Sequence, residues 1–247
     1  MNVRRLSIPQ QIREWLLDRI ARGVLGPRDR VIEAEVASEM QVSSIPVREA
    51  IRELVAMGIL QSEPHRGAWV REVSLSETIQ AFRVRAVLEP LAADSATPQL
   101  QGRCRELRRV VKAIIHASRR RDFAEFQHYN QIFHRTIVEA SGNGVLLRVW
   151  DSLAFEVRTR FTMDYLTTVD PVMIARQHES IVESLDSGDA GRAAALLQSH
   201  SNGLVEYLCA QTADDRQNGA SPAAKRSAAS NPAIRPRRRC GGRPRTE

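Results

Sequence analysis

The stretch Ser43–Leu54, SSIPVREAIREL, carries a proline four residues into what otherwise reads as a helix. With Ser43 as the N-cap, Pro46 falls at the third helical position, where its missing N–H removes no intrahelical bond. The proline is therefore compatible with a helix start. At about 100° per residue, Val47, Ala50, Ile51, Leu54 and Met57 gather on one face, while Arg48 and Arg52 lie one turn apart on the other. The apolar face is made to pack; the arginine face either meets solvent or meets DNA.

Working outward, residues 8–22 carry Ile8, Ile12, Trp15, Leu16 and Ile20 close to helical spacing, and Glu33 to Met40 reads as a short helix after a turn at Gly26-Pro27. Downstream, "ILQSE" and "AWVRE" are extended runs around "PHRG", in which Pro64 and Gly67 supply turn chemistry. A short helix, a tight turn, a second helix and a hairpin make a winged helix-turn-helix, whose second helix enters the major groove while the wing tip approaches the neighbouring minor groove or backbone. The expected fold is mainly α. A DNA-binding domain over residues 1–72, with its small β-hairpin wing, precedes an all-α domain over residues 73–210 that begins at the capping box Ser74-x-x-Glu77.

Six helices are expected in this bundle, roughly 75–96, 100–120, 123–140, 144–165, 171–187 and 190–210. Asp122 with Glu125, and Asp170 before Pro171, mark two starts; Gly142 and Gly188 mark two ends. Residues 211–247 are rich in Ala, Ser, Pro and Arg with almost nothing to bury, and read as a disordered basic tail.

The formal net charge of +7 belongs mostly to that tail, which holds nine Lys and Arg against three Asp and Glu. Cys104, Cys209 and Cys240 form no C-x-x-C pair, so neither a disulfide framework nor a zinc ribbon is supported and a reducing cytoplasm is expected. The N-terminus has no apolar run of the roughly 7–15 residues a signal peptide needs, and no charge-free span of roughly 18 residues suggests membrane insertion.

The run "VSSIPVREAIRELVAMGILQSEPHRGAWV", within residues 8–72, resembles the DNA-binding region of GntR-type bacterial transcription regulators. The resemblance implies a double-stranded DNA operator met by Ser43, Ser44, Pro46, Arg48 and Arg52, with His65, Arg66 and Gly67 at the wing tip. Gly67 can equally be a hairpin residue of unusual backbone conformation, and His65 an exposed turn residue. The family often has arginine where this chain has Ala34 and Ser44, which leaves less base readout.

In "YNQIFH", Asn130 and His134 stand at i and i+4 and share a helix face; His178 and His200 fall on two later helices, and a bundle can bring three such helices around one point. The order of these residues, and "RAVLEPLAA" from Arg85 to Ala93, resemble the FCD effector domain of FadR-subfamily GntR regulators. That resemblance implies a divalent metal (Zn, Ni or Mn) held by Asn130, His134, His178 and His200, with a small carboxylate effector at or near it. Many members have aspartate where this chain has Asn130. A metal-free polar pocket is the other reading of the cluster. Arg85 is either an effector-binding residue inside the cavity or one half of a surface pair with Glu89. His116 and His128 read as structural or exposed.

The sequence thus points to a ligand-responsive transcription regulator rather than an enzyme: a homodimer on a palindromic operator, sensing a small organic acid. A metal-dependent hydrolase with Glu179 or Glu183 as base is a rival, although no H-E-x-x-H helix is present. An architectural DNA-binding protein using the Gly-Arg-Pro of "CGGRPRTE" in the minor groove is another.

Overall fold

The computed structural model describes residues 6–162 and 170–217. Its first part runs α1 (Ile8–Ala21), β1 (Arg30–Val31), α2 (Glu33–Met40), α3 (Ser44–Ala56), β2 (Leu60–Glu63) and β3 (Gly67–Val70). Ser43 takes the extended N-cap conformation, and Val47, Ala50, Ile51 and Leu54 are buried, so the periodicity of this stretch becomes a packing face. That face closes on Ile12, Leu16 and Ile20 of α1. The tight turn from α2 to α3 passes through Gln41 at φ 54°.

The wing has a strand the sequence did not announce. Besides the β2–β3 hairpin, with Leu60 opposite Val70 and Glu63 opposite Gly67, β1 pairs antiparallel with β3 to give the order β1-β3-β2. A two-residue strand is too short to leave an alternation pattern. At the tip, His65 and Gly67 adopt φ 63° and 82°, a conformation that glycine tolerates far better than histidine.

The second part is helical: α4 (Leu75–Leu100), α5 (Arg105–Arg119), α6 (Phe123–Ala140), α7 (Gly144–Ser152), α8 (Phe155–Thr162), α9 (Pro171–Ser187) and α10 (Ala190–Gln217). Its starts are capped as the sequence suggests: Ser74 Oγ accepts from the Glu77 N–H at 3.1 Å, the Asp122 carboxylate from Glu125, and that of Asp170 from Val172. Seven helices, rather than six, occupy this part among the described residues. The helix expected over 144–165 is divided into α7 and α8 by Ala154, whose φ is 44°. Ala154 is buried with the DNA-binding core, whereas its neighbour Phe155 is buried with Trp150 and Leu146, so tertiary packing holds a break that no glycine or proline signals. Two ends also differ: α4 continues past 96 with Pro98 in its last turn, and α10 continues past 210. Most of the expected basic tail, residues 218–247, lies outside the described residues, as do residues 163–165 of the expected fourth helix. Among the described residues no helix is long and apolar enough to cross a membrane.

The two parts meet through α8. Val157 joins Ala154 in the core of the winged helix-turn-helix. Arg158, 6% exposed, donates from Nε to the Leu153 carbonyl at 2.7 Å and from Nη1 to Glu77 Oε1 at 3.0 Å. Arg71, which follows β3, also pairs with Glu77 and donates to the Gly58 carbonyl. Partial burial works against the Glu77 carboxylate, but the hydrogen bonds from Arg71 and Arg158 outweigh it and hold its pKa below the usual carboxylate range. A depressed folded-state pKa stabilises the fold fully above the unfolded value, about 4.3, and this contribution fades as pH falls toward the folded value. Glu77→Gln is accordingly expected to lower stability at pH 7, with the difference from wild type shrinking below about pH 4.3. Urea denaturation across that range checks it; a difference independent of pH would remove the charge from the explanation.

Candidate functional site

At the front of α3, Ser43 is exposed and makes no side-chain capping bond, Ser44 and Pro46 are half-buried, and Arg48 and Arg52 are exposed. Arg48 is not idle: its Nε donates to Glu33 Oε2 at 2.6 Å, across the turn to α2. Both side chains are solvent-exposed, so this pair is weak enough for a DNA phosphate or base edge to displace it. At the wing tip His65, Arg66 and Gly67 are all exposed, Arg66 pairs with Glu63 at 2.8 Å, and the Arg30 guanidinium donates to the Arg66 carbonyl. Sequence reading missed two members of this surface. Glu33 is one; the other is Ile45, 66% exposed in the first turn of α3 and off the packing face.

In the helical part, α4 brings Arg85 and Glu89, α6 brings Asn130 and His134, α9 brings His178 and α10 brings His200. One ring nitrogen from each of the three histidines lies within 4.8 Å of the others, and Nε2 of His134 and His178 are 3.3 Å apart. The Ala175 carbonyl lies 2.9 Å from His178 Nδ1 and can only accept, so Nδ1 carries the proton and Nε2 a lone pair. His200 Nδ1 likewise faces Gln177 Oε1 at 2.7 Å. Burial pushes His178 down to about 4 and His134 well below the usual imidazole value, so both rings are neutral near pH 7. At this separation the His178 lone pair either accepts the His134 Nε2 proton or shares a cation with that nitrogen, and the donor set fits a divalent ion. His116 and His128 are exposed and stand apart from this cluster.

Arg85 and Glu89 are not a surface pair: they are 3% and 1% exposed. Glu89 Oε1 accepts from Arg85 Nε at 2.8 Å and from Trp150 Nε1 at 3.0 Å. Glu89 Oε2 lies 2.9 Å from His134 Nδ1 but outside hydrogen-bond angles, and both atoms are without a hydrogen-bond partner. A carboxylate behind the far nitrogen of a ligating histidine orients the ring and raises its basicity. Arg85 stacks over Phe82 and Phe155, its Nη2 has no partner, and it lines a cavity of about 250 Å³ together with Asn130 and His200.

Comparison with known proteins agrees with both halves. The description "Bacterial regulatory proteins, gntR family" matches residues 9–70 and "FCD domain" matches residues 80–203. The chain is 32% identical over 204 residues to a probable D-xylose utilization operon transcriptional repressor of Paenarthrobacter nicotinovorans, covering 83% of this chain and 88% of that one. It is 25% identical over 206 residues to the HTH-type transcriptional repressor RspR of Escherichia coli K12, covering 81% and 89%. This chain belongs to the GntR family and carries an FCD domain. Among solved structures, E. coli McbR/YncC shares the fold with a TM-score of 0.71 at 23% identity, covering 84% of this chain and all of that one. A GntR regulator from Rhodococcus sp. RHA1 follows at a TM-score of 0.64 and 18% identity, covering 83% and 99%.

As a GntR-family protein the chain is a transcriptional regulator and not an enzyme. The bases a hydrolase would need agree: Glu179 and Glu183 are exposed and line no part of the cavity. In the regulator, Trp150 is the donor to Glu89 that sequence reading overlooked, because a tryptophan in an amphipathic helix looks like core alone. Trp150→Phe keeps an aromatic ring but removes a hydrogen bond to a buried charge, and is expected to cost roughly 1.5–3 kcal/mol of stability. Urea denaturation measures this; a loss below 0.5 kcal/mol, roughly that of a neutral surface change, would detach Trp150 from the network.

Proposed function

We propose that this GntR-family regulator binds a palindromic operator as a homodimer, through α3 and the wing, and senses a small carboxylate at a divalent metal in its helical domain. The observation that carries the reading is the convergence of His134, His178 and His200, from three helices, beside a cavity lined by Arg85. Asn130, His134, His178 and His200 would hold the ion, and an all-neutral donor set suits Zn, Ni or Mn. Such an ion supplies a fixed positive charge that its ligands do not cancel, which a carboxylate answers.

On the DNA side, the exposed arginines of α3 and the wing tip supply phosphate contacts for affinity, and a bidentate arginine–guanine pair is the commonest specific contact. For the dimer, α4 carries Val84, Val87 and Leu91 on its outer face at 43%, 65% and 55% exposure. Three apolar side chains on one exposed helical stripe suit the same helix of a second copy across a two-fold axis. The opposite face of that helix holds Arg85, so an acid that draws on Arg85 acts on the helix at the seam. A ligand shifts such an arrangement only through its different affinities for the two states.

Two sets of variants test the reading. Arg48→Ala is expected to weaken operator binding by roughly 1–3 kcal/mol in a gel-shift titration while leaving the circular dichroism unchanged; unaltered affinity would take Arg48 off the reading surface. His134→Ala and His200→Ala are expected to bind the operator without effector yet lose metal and response to the acid. Native mass spectrometry of the wild type reports dimer mass, bound metal and any retained acid. A variant that loses metal and still responds would sink the metal-centred mechanism.

A further inference from the structure

We infer that the acid sensed by this regulator carries a single carboxylate on an apolar body, aromatic or branched aliphatic, rather than being a hydroxylated or polycarboxylate acid. The inference rests on the acid-sensing reading above and concerns what else the cavity can accept. At about 250 Å³ the cavity has room for roughly eight waters of ~30 Å³ each, the scale of a small metabolite.

Its walls are divided by chemistry. Arg85, Asn130, Gln177, His200 and Ser201 supply a polar side, to which Thr159 and Tyr207 add hydroxyls; Phe82, Phe123, Phe126, Pro171, Ile174 and Leu204 supply the other. On the polar side, Arg85 Nε is held by Glu89, and Gln177 Oε1 faces His200 Nδ1. Arg85 brings a cation to this wall, and one carboxylate answers it. A neutral apolar ligand would forgo that charge pairing.

The rest of the ligand meets the phenylalanine side. A hydroxyl or second carboxylate placed there would lose its hydrogen bonds to water and gain little in return, and the penalty is largest for a charge. A flat ring or branched chain instead buries carbon against carbon. The cavity therefore selects by what surrounds the carboxylate.

The test uses the full-length, metal-loaded wild type, titrated calorimetrically with benzoate, phenylacetate, 3-methylbutanoate, gluconate and citrate. At least one of the first three is expected to bind roughly ten-fold or more tighter than gluconate and citrate, the discrimination one unpaired buried polar group produces. Ile174→Asn, checked for an unchanged melting profile, should narrow that gap by weakening the apolar acid while sparing gluconate. Equal or tighter binding of gluconate or citrate overturns the apolar-body inference and leaves acid sensing standing. If none of the five acids binds the metal-loaded protein, the acid-sensing reading itself fails.

Discussion

The buried carboxylate of Glu89 is the constraint around which the helical domain is arranged. A carboxylate removed from water is tolerable only where charge and hydrogen bonds replace the solvent, and here three helices supply them. Arg85, one turn earlier on α4, neutralises the charge; Trp150 on α7 donates to the same oxygen; His134 on α6 stands against the other. Each of these partners has a second duty. Arg85 lines the cavity, His134 belongs to the three-imidazole cluster, and Trp150 packs with Phe155 at the start of α8. The polar centre and the apolar core are thus the same structure seen from two sides.

The short helix α8 is where that centre touches the rest of the molecule. Phe155 lies under the Arg85 guanidinium and Thr159 lines the cavity, while Val157 and Arg158, between them in sequence, belong to the contact with the DNA-binding part. Among the described side chains, this one short helix therefore touches both the cavity and the DNA-binding part, on alternate faces. The left-handed break at Ala154 turns the chain between α7 and α8, and within α8 Phe155 and Val157, about 200° apart around the axis, face different cores.

The DNA-binding half was legible because its signals are local. Pro46 in a first turn, the Val47–Ala50–Ile51–Leu54 face and the glycine of the hairpin each act within a few residues. Strand β1 was not legible, since its pairing partner, β3, lies nearly forty residues away and two residues carry no period. In the helical half the histidines stood out by residue type and order, and the structure brings three of them together. Glu89 did not stand out: an Arg and a Glu at i and i+4 look the same in sequence whether the helix face is wet or dry. Burial decides their meaning, and burial is set by α7 and α8 folding over α4.

Helix α4 is also tied near its N-terminal end to Arg71, the residue that follows the wing, through Glu77. From Leu75 to Arg85 is ten residues, about 15 Å of axis at 1.5 Å per residue. A tilt of about 13° about Arg85 would swing that end by roughly 3.4 Å, the rise of one base pair along a strand of DNA. In the proposed dimer the two-fold axis would repeat that swing in both protomers and so alter the spacing of the two recognition helices along the groove.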